Sequence, residues 1–82
     1  MSKFRNVYSA NRWRAVTISD TVNLPEGPPA AIIASGAGNI VAVDASGATM
    51  TIPIAAGVPL CIEPVRINAT NTSATGIYAL YN

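Results

Sequence analysis

The sequence predicts an all-β fold, a small antiparallel sandwich or barrel of short strands preceded by an extended N-terminal arm. Three observations carry that expectation. Apolar stretches recur at about 8–12-residue spacing with Gly, Pro, Ser and Asn between them, the rhythm of a small all-β domain. Fourteen of residues 41–82 are β-branched, and such side chains lose χ1 freedom in a helix while fitting a pleated surface. Two stretches, 48–54 and 75–81, alternate with period two, which places successive side chains on opposite faces of a strand.

Taken in order, residues 1–14 (MSKFRNVYSANRWR) show neither strand alternation nor a sustained helical stripe, and read as a basic arm with aromatic anchors at Phe4, Tyr8 and Trp13. Residues 15–82 read as one β domain. RAVTI (14–18) is β-rich, and SDTVNLPEGPP (19–29) is a connector in which Pro25, Pro28 and Pro29 exclude a central strand because each lacks an amide donor. AAIIA (30–34) is a strand that stops at SGAGN (35–39), read as a β-turn. IVAVD (40–44) and ATMTIPI (48–54) flank Asp44-Ala45-Ser46-Gly47, a tight-turn sequence, and so predict a hairpin. Met50, Ile52 and Ile54 then share a face, and Pro53 requires an edge or a bulge. VPLCI (58–62), PVRINAT (64–70) and TGIYALY (75–81) complete the set. In the last, Ile77, Ala79 and Tyr81 oppose Tyr78 and Leu80. So apolar a closing strand calls for cover, inside the sheet or by another subunit, because an exposed one invites aggregation.

Length and charge point to self-association. A chain of 82 residues buries only roughly 60–65% of the surface its unfolded form exposes, and small scaffolds compensate with disulfides, metals or partners. One cysteine excludes an internal disulfide, and the absence of histidine leaves no zinc-site pattern. Charged residues are 11% of the chain, against about 25% in ordinary soluble domains. They are also segregated. Lys3, Arg5, Arg12 and Arg14 give the arm +4, while Arg66 against Asp20, Glu26, Asp44 and Glu63 leaves the rest at −3. Depleted charge is a mark of interface.

Several chemistries are disfavoured. Without histidine there is no Ser-His or Cys-His pair, the four acids are not paired in sequence, and Cys61 between Leu60 and Ile62 reads as a small buried hydrophobe. The expectation is a non-enzyme without cofactor or metal. SGAGN precedes a strand instead of the helix that a phosphate loop needs. NAT at Asn68 and NTS at Asn71 read as loop. The polar, basic first residues lack the apolar core of a secretion signal, and no run approaches the ~20 residues of a bilayer span, so synthesis and assembly in a cytoplasm are expected, with no membrane partner. The arm's cations and aromatics suit docking on a protein, with a plain solvated leader as the alternative. Nucleic acid is disfavoured because Arg66 is the one cation outside the arm.

The stretch AVTISDTVNLPEGPPAAIIASGAGNIVAV resembles a family of small virion proteins, the head-spike base proteins of gene transfer agents and related tailed phages. The likeness rests on ISDTVNLP (18–25), a Gly-Ala-Gly-Asn-Ile hairpin at 36–40, IPIAAGVPLCIEPVRI (52–67) and NATNTSATGIYALY (68–81). It covers residues 15–82 and leaves the arm unmatched. The chain departs from the family in having Asn23 where an acid is usual, Gly27-Pro28-Pro29-Ala30 where Thr-Arg precedes the strand, and TNTSA in place of TGTTA. The resemblance implies a virion structural protein, a head-spike base or capsid decoration. It would form a ring on the capsid surface, a pentamer by analogy with fivefold vertices or else a trimer, against the major capsid protein and carrying a fibre protein.

On this reading Lys3, Phe4, Arg5, Tyr8, Arg12, Trp13 and Arg14 are candidates for docking on the capsid or a neighbour. Leu24, Pro25, Ile77, Tyr78, Leu80 and Tyr81 are candidates for the subunit interface. The alternative from another class is a carbohydrate- or receptor-binding module of a fibre or tail, with Trp13, Tyr78 or Tyr81 on its binding face. A third is a nucleic-acid accessory protein using the arm, whose affinity would fall steeply with salt.

Overall fold

A computed structural model describes residues 10–82. Six strands run in the order β1 (Arg12–Ala15), β2 (Ala31–Gly36), β3 (Gly38–Val43), β4 (Thr49–Ile54), β5 (Arg66–Ile67) and β6 (Thr75–Tyr81), with no helix among the described residues. They form two three-stranded antiparallel sheets, β1-β6-β2 and β4-β3-β5. Ile32, Ala34, Ile77, Ala79 and Tyr81 from the first sheet meet Ile40, Ala42, Ile54 and Ile67 from the second in one apolar cluster. Ile32, Ile40 and Ile67 are fully buried within it, each stabilising the fold by about 1.5–3 kcal/mol. The all-β expectation holds, and the two sheets share a single core.

The closing strand is the centre of its sheet. β6 pairs with β1 along one edge and with β2 along the other, so its backbone donors and acceptors are used on both sides. This is the cover that so apolar a terminus requires, supplied by the chain itself.

The hairpin expected around Asp44 is present, with β3 and β4 in register from Gly38↔Ile54 to Val43↔Thr49. Asp44 builds its turn: Oδ1 accepts from Ser46 N at 2.8 Å, Ala48 N at 3.0 Å and Ser46 Oγ at 2.6 Å. Gly47 supplies the positive φ of 92° that closes it. Pro53 stands opposite Asn39 on β4, an edge strand of its sheet, where its missing amide costs no ladder bond.

SGAGN does something other than turn. Gly-Ala-Gly-Asn-Ile is not a hairpin: β2 pairs with β6, and β3 with β4 and β5. The chain passes from one sheet to the other at Ala37, between Gly36 and Gly38. Gly38 is needed for proximity, because a Cβ there would lie 2.6 Å from Ala74 N and 2.8 Å from Ala74 Cα. The backbones are held that close by Ser73 N and Ala74 N donating to Asn39 O at 2.8 and 3.1 Å. Period-two reading cannot distinguish a turn within one sheet from a crossing between two.

Two further expectations are corrected. VPLCI is not a regular strand. Pro59 removes a donor, and only Leu60 pairs, exchanging two bonds with Ile32 at 2.9 and 2.7 Å. Cys61 consequently faces solvent and is not a buried hydrophobe. PVRINAT contributes just the two residues of β5, opposite Ala42 and Val43. At the other end of the chain, Arg12, Trp13 and Arg14, read from sequence as the end of the arm, belong to β1.

The connector before β2 is pinned as its residues suggest. Ser19 Oγ accepts from Thr21 N and Val22 N at 3.2 and 3.0 Å, an ST-type turn. Asp20 reaches across to Thr70, accepting from its amide at 2.9 Å and its hydroxyl at 2.6 Å. Leu24 is buried, and its amide donates to Val65 O at 2.8 Å.

Candidate functional site

Because facing residues of antiparallel strands project to the same side, the register defines the outer face of the β1-β6-β2 sheet. Trp13, Leu80 and Ala31 form one row across it, and Ala15, Tyr78 and Ile33 the next. Every side chain in both rows is apolar or aromatic. Trp13 is 61% exposed and Tyr78 42%, while Leu80 and Ile33 are half-buried and Ala31 is buried. A monomer scatters such residues singly, whereas a contiguous patch marks a contact surface, and aromatic residues are enriched at such surfaces.

Beside this face lies a polar cluster. Arg12 and Arg14 project from the opposite side of β1 at the sheet edge, and both pair with Glu26, Arg12 Nη1 to Oε1 at 2.9 Å and Arg14 Nε to Oε2 at 2.5 Å. The Arg12 guanidinium also lies 5.1 Å from the centre of the Tyr81 ring, a cation–π distance. The Tyr81 hydroxyl donates to Gly27 O at 2.9 Å. Burial, and secondarily the Glu26 charge, hold that hydroxyl above its ordinary pKa. Half of the arm's cations are thus engaged by an acid of their own chain, and they staple β1 to the connector.

The structure therefore redistributes the sequence candidates. Tyr78 and Leu80 lie on the outer face, joined there by Trp13. Ile77, Tyr81 and Leu24 are buried among the chain's own residues. Pro25 is exposed, near Arg14 and Glu26. Lys3, Phe4, Arg5 and Tyr8 lie outside the described residues. Sequence reasoning missed Ile33 and Ala15: Ile33 sits in an unbroken apolar run without period, and alanine carries little signal.

Asp20 and Asp44 hold turns and loops in place. Asp20 and Asp44 both sit below the ordinary carboxylate pKa, Asp20 chiefly through the Thr70 hydroxyl and amide, Asp44 chiefly through the Ser46 hydroxyl and the amides of its turn. Among the described residues no three His, Cys, Asp or Glu side chains gather as a metal site, and no helix is long and apolar enough to cross a membrane.

The class these features define is a small two-sheet β subunit with an apolar outer sheet. Comparison with known proteins is specific. The chain is similar to a chain from a solved gene transfer agent particle, described as "Capsid of native GTA particle computed with C5 symmetry". The two share 33% sequence identity over 95% of this chain and 92% of that one, with a TM-score of 0.81. This chain belongs to the family of that capsid chain. No family model matches it, and no curated protein does.

Proposed function

We propose that the protein is a non-enzymatic structural protein of a phage-like particle, a head-spike base or capsid decoration subunit. Copies assemble into a ring on the capsid surface and anchor a fibre. The observation that carries this reading is the uncharged outer face of the β1-β6-β2 sheet, with Trp13 and Tyr78 exposed on it. An 82-residue chain that displays such a face gains its missing burial from a second copy. The relative's C5 particle supports a fivefold ring, and a closed ring satisfies every copy's interface equally. The particle surface would be its location, after assembly in the host cytoplasm.

The test is to reconstruct purified particles by electron cryomicroscopy with and without the gene for this chain. The reading expects density for a ring of these subunits on the capsid surface, lost on deletion together with any fibre it holds. Particles whose capsid surface is the same in both preparations would refute it.

Two exposed aromatic residues on one sheet face also favour a second reading, a carbohydrate- or receptor-binding module. A glycan array separates them: saturable binding abolished by Trp13→Ala would support the second, and no binding the first.

A further inference from the structure

The two sheets have four outer edges, β1 and β2 in the first and β4 and β5 in the second. Two of them are closed by the chain's own backbone. Leu60 exchanges bonds of 2.9 and 2.7 Å with Ile32 of β2, and Gly57 N donates to Ala34 O at 2.8 Å. Beside β5, Ser19 N donates to Ile67 O at 2.9 Å and Leu24 N to the adjoining Val65 O at 2.8 Å. Against the outer edges of β1 and β4 no strand or bridge lies among the described residues. Solitary proteins blunt an open edge with charge or a bulge. Yet β4 (TMTIPI) carries no charged side chain, and all of it except Ile54 is exposed or half-buried.

Alternation along each ladder fixes which groups point outward. Val16 N donates to Ile77 O, so Arg14 turns its amide and carbonyl toward β6, and Trp13 and Ala15 turn theirs away. Asp44 N donates to Ala48 O, so Met50 and Ile52 face β3, and Thr49 and Thr51 face outward. Each open edge therefore presents two amides and two carbonyls, on residues two apart. The Arg14 guanidinium reaches Trp13 O at 3.0 Å, and the second lone pair of that oxygen stays available. Pro53, the next outward position on β4, has no amide and ends the usable edge.

We infer that β1 of one copy pairs antiparallel with β4 of the next, Trp13 opposite Thr51 and Ala15 opposite Thr49. This rests on the self-assembly proposed above and names a contact for it. The register keeps like faces together. Arg14 shares the face of Ala79 and falls opposite Met50, which shares the face of Ile54; Ala79 and Ile54 both belong to the core. The core-facing side of one copy's sheet thus continues into that of its neighbour. Met50, 57% exposed, gains the aliphatic stem of Arg14 as cover, and Trp13 comes within diagonal reach of Pro53. One sheet of each copy supplies an edge and the other receives one. Such a heterologous contact closes into a ring when the rotation permits, and a closed ring leaves no copy with a bare edge.

The test mixes two full-length chains, both Cys61→Ser, one carrying Arg14→Cys and the other Met50→Cys, under mild oxidation. With one thiol each, they link only between copies. Positions 14 and 50 form a non-hydrogen-bonded pair in this register, with Cα atoms about 4.5 Å apart, within disulfide range. The expected main product is the mixed dimer joined through positions 14 and 50. Adding Thr51→Pro to the Met50→Cys chain should abolish it with the β spectrum retained, because that amide faces away from β3. Homodimers as the main product, or a mixed dimer that survives Thr51→Pro, overturn the inference. Amide exchange on the wild type gives a second reading: Thr49 and Thr51 are protected in the assembled ring, and free exchange there overturns the seam. Native mass spectrometry of the wild type separates the two levels. A ring without the seam removes this contact alone, whereas a lone subunit removes the assembly reading with it.

Discussion

Gly38→Ala is the perturbation whose cost the structure sets most sharply. An added Cβ would lie 2.6 Å from Ala74 N, 2.8 Å from Ala74 Cα and 2.8 Å from the Ser73 carbonyl carbon. All three are backbone atoms, so no rotamer change relieves the clash. Residues 73–74 must retreat, which strains or breaks the bonds that Ser73 N and Ala74 N make to Asn39 O, and the bond from Asn39 N to Ser73 Oγ at 2.9 Å. Overpacking of this kind costs about 1–3 kcal/mol, and each hydrogen bond lost adds about 1 kcal/mol. The expected loss is about 2–5 kcal/mol, a large share of the roughly 5–15 kcal/mol a domain possesses, or about 10–30 °C in Tm for a chain of this length. Gly36→Ala is the control. A Cβ there meets the Thr75 hydroxyl first, which can rotate away, so the loss should be smaller. Urea unfolding of both variants and wild type, at one fixed protomer concentration, is the assay. A Gly38→Ala protein within about 0.5 kcal/mol of wild type, or one more stable than Gly36→Ala, would refute the close-approach reasoning.

Other consequences follow from the polar contacts. Asp20 and Asp44 have folded-state pKa values below the ordinary 3.8; the stability this contributes is present above the unfolded value and lost as pH falls through the folded one. Tm should therefore drop below about pH 4, and Asp20→Asn should flatten that acid limb; an unchanged limb would contradict the Thr70 clamp. Glu26→Gln should cost about 0.5–1 kcal/mol, because both ion pairs are partly exposed. The loss should shrink in high salt, with faster amide exchange in β1 as its local signature.

The sequence displayed what is local. Asp44-Ala45-Ser46-Gly47 encodes its own turn, Pro53 its own edge position, and the alternation of 75–81 the two faces of β6. What it concealed depends on partners distant along the chain. The same Gly-Ala-Gly reads as a hairpin until the pairing of β2 with β6 is known, since a crossing and a turn both need small residues. Cys61 between two hydrophobes reads as buried until Pro59 breaks the strand and turns it outward. The faces of β6 are a similar case. Alternation separated Tyr78 and Leu80 from Ile77 and Tyr81, but only the packing of the second sheet against Ile77, Ala79 and Tyr81 decides which pair faces out. Trp13 was assigned to an arm because nothing in RWRA announces that it pairs with ALY.

The assembly state tests the whole account most directly. Sedimentation velocity of wild type and Tyr78→Arg at matched micromolar concentration measures whether the outer face of the β1-β6-β2 sheet is covered by another copy. The account predicts a single closed oligomer for wild type, shifted to free subunits by a cation placed in the middle of that face, with the β spectrum of the fold retained. A wild-type protein that sediments as one stable subunit of 8.4 kDa, with Trp13 and Tyr78 in water, would contradict it.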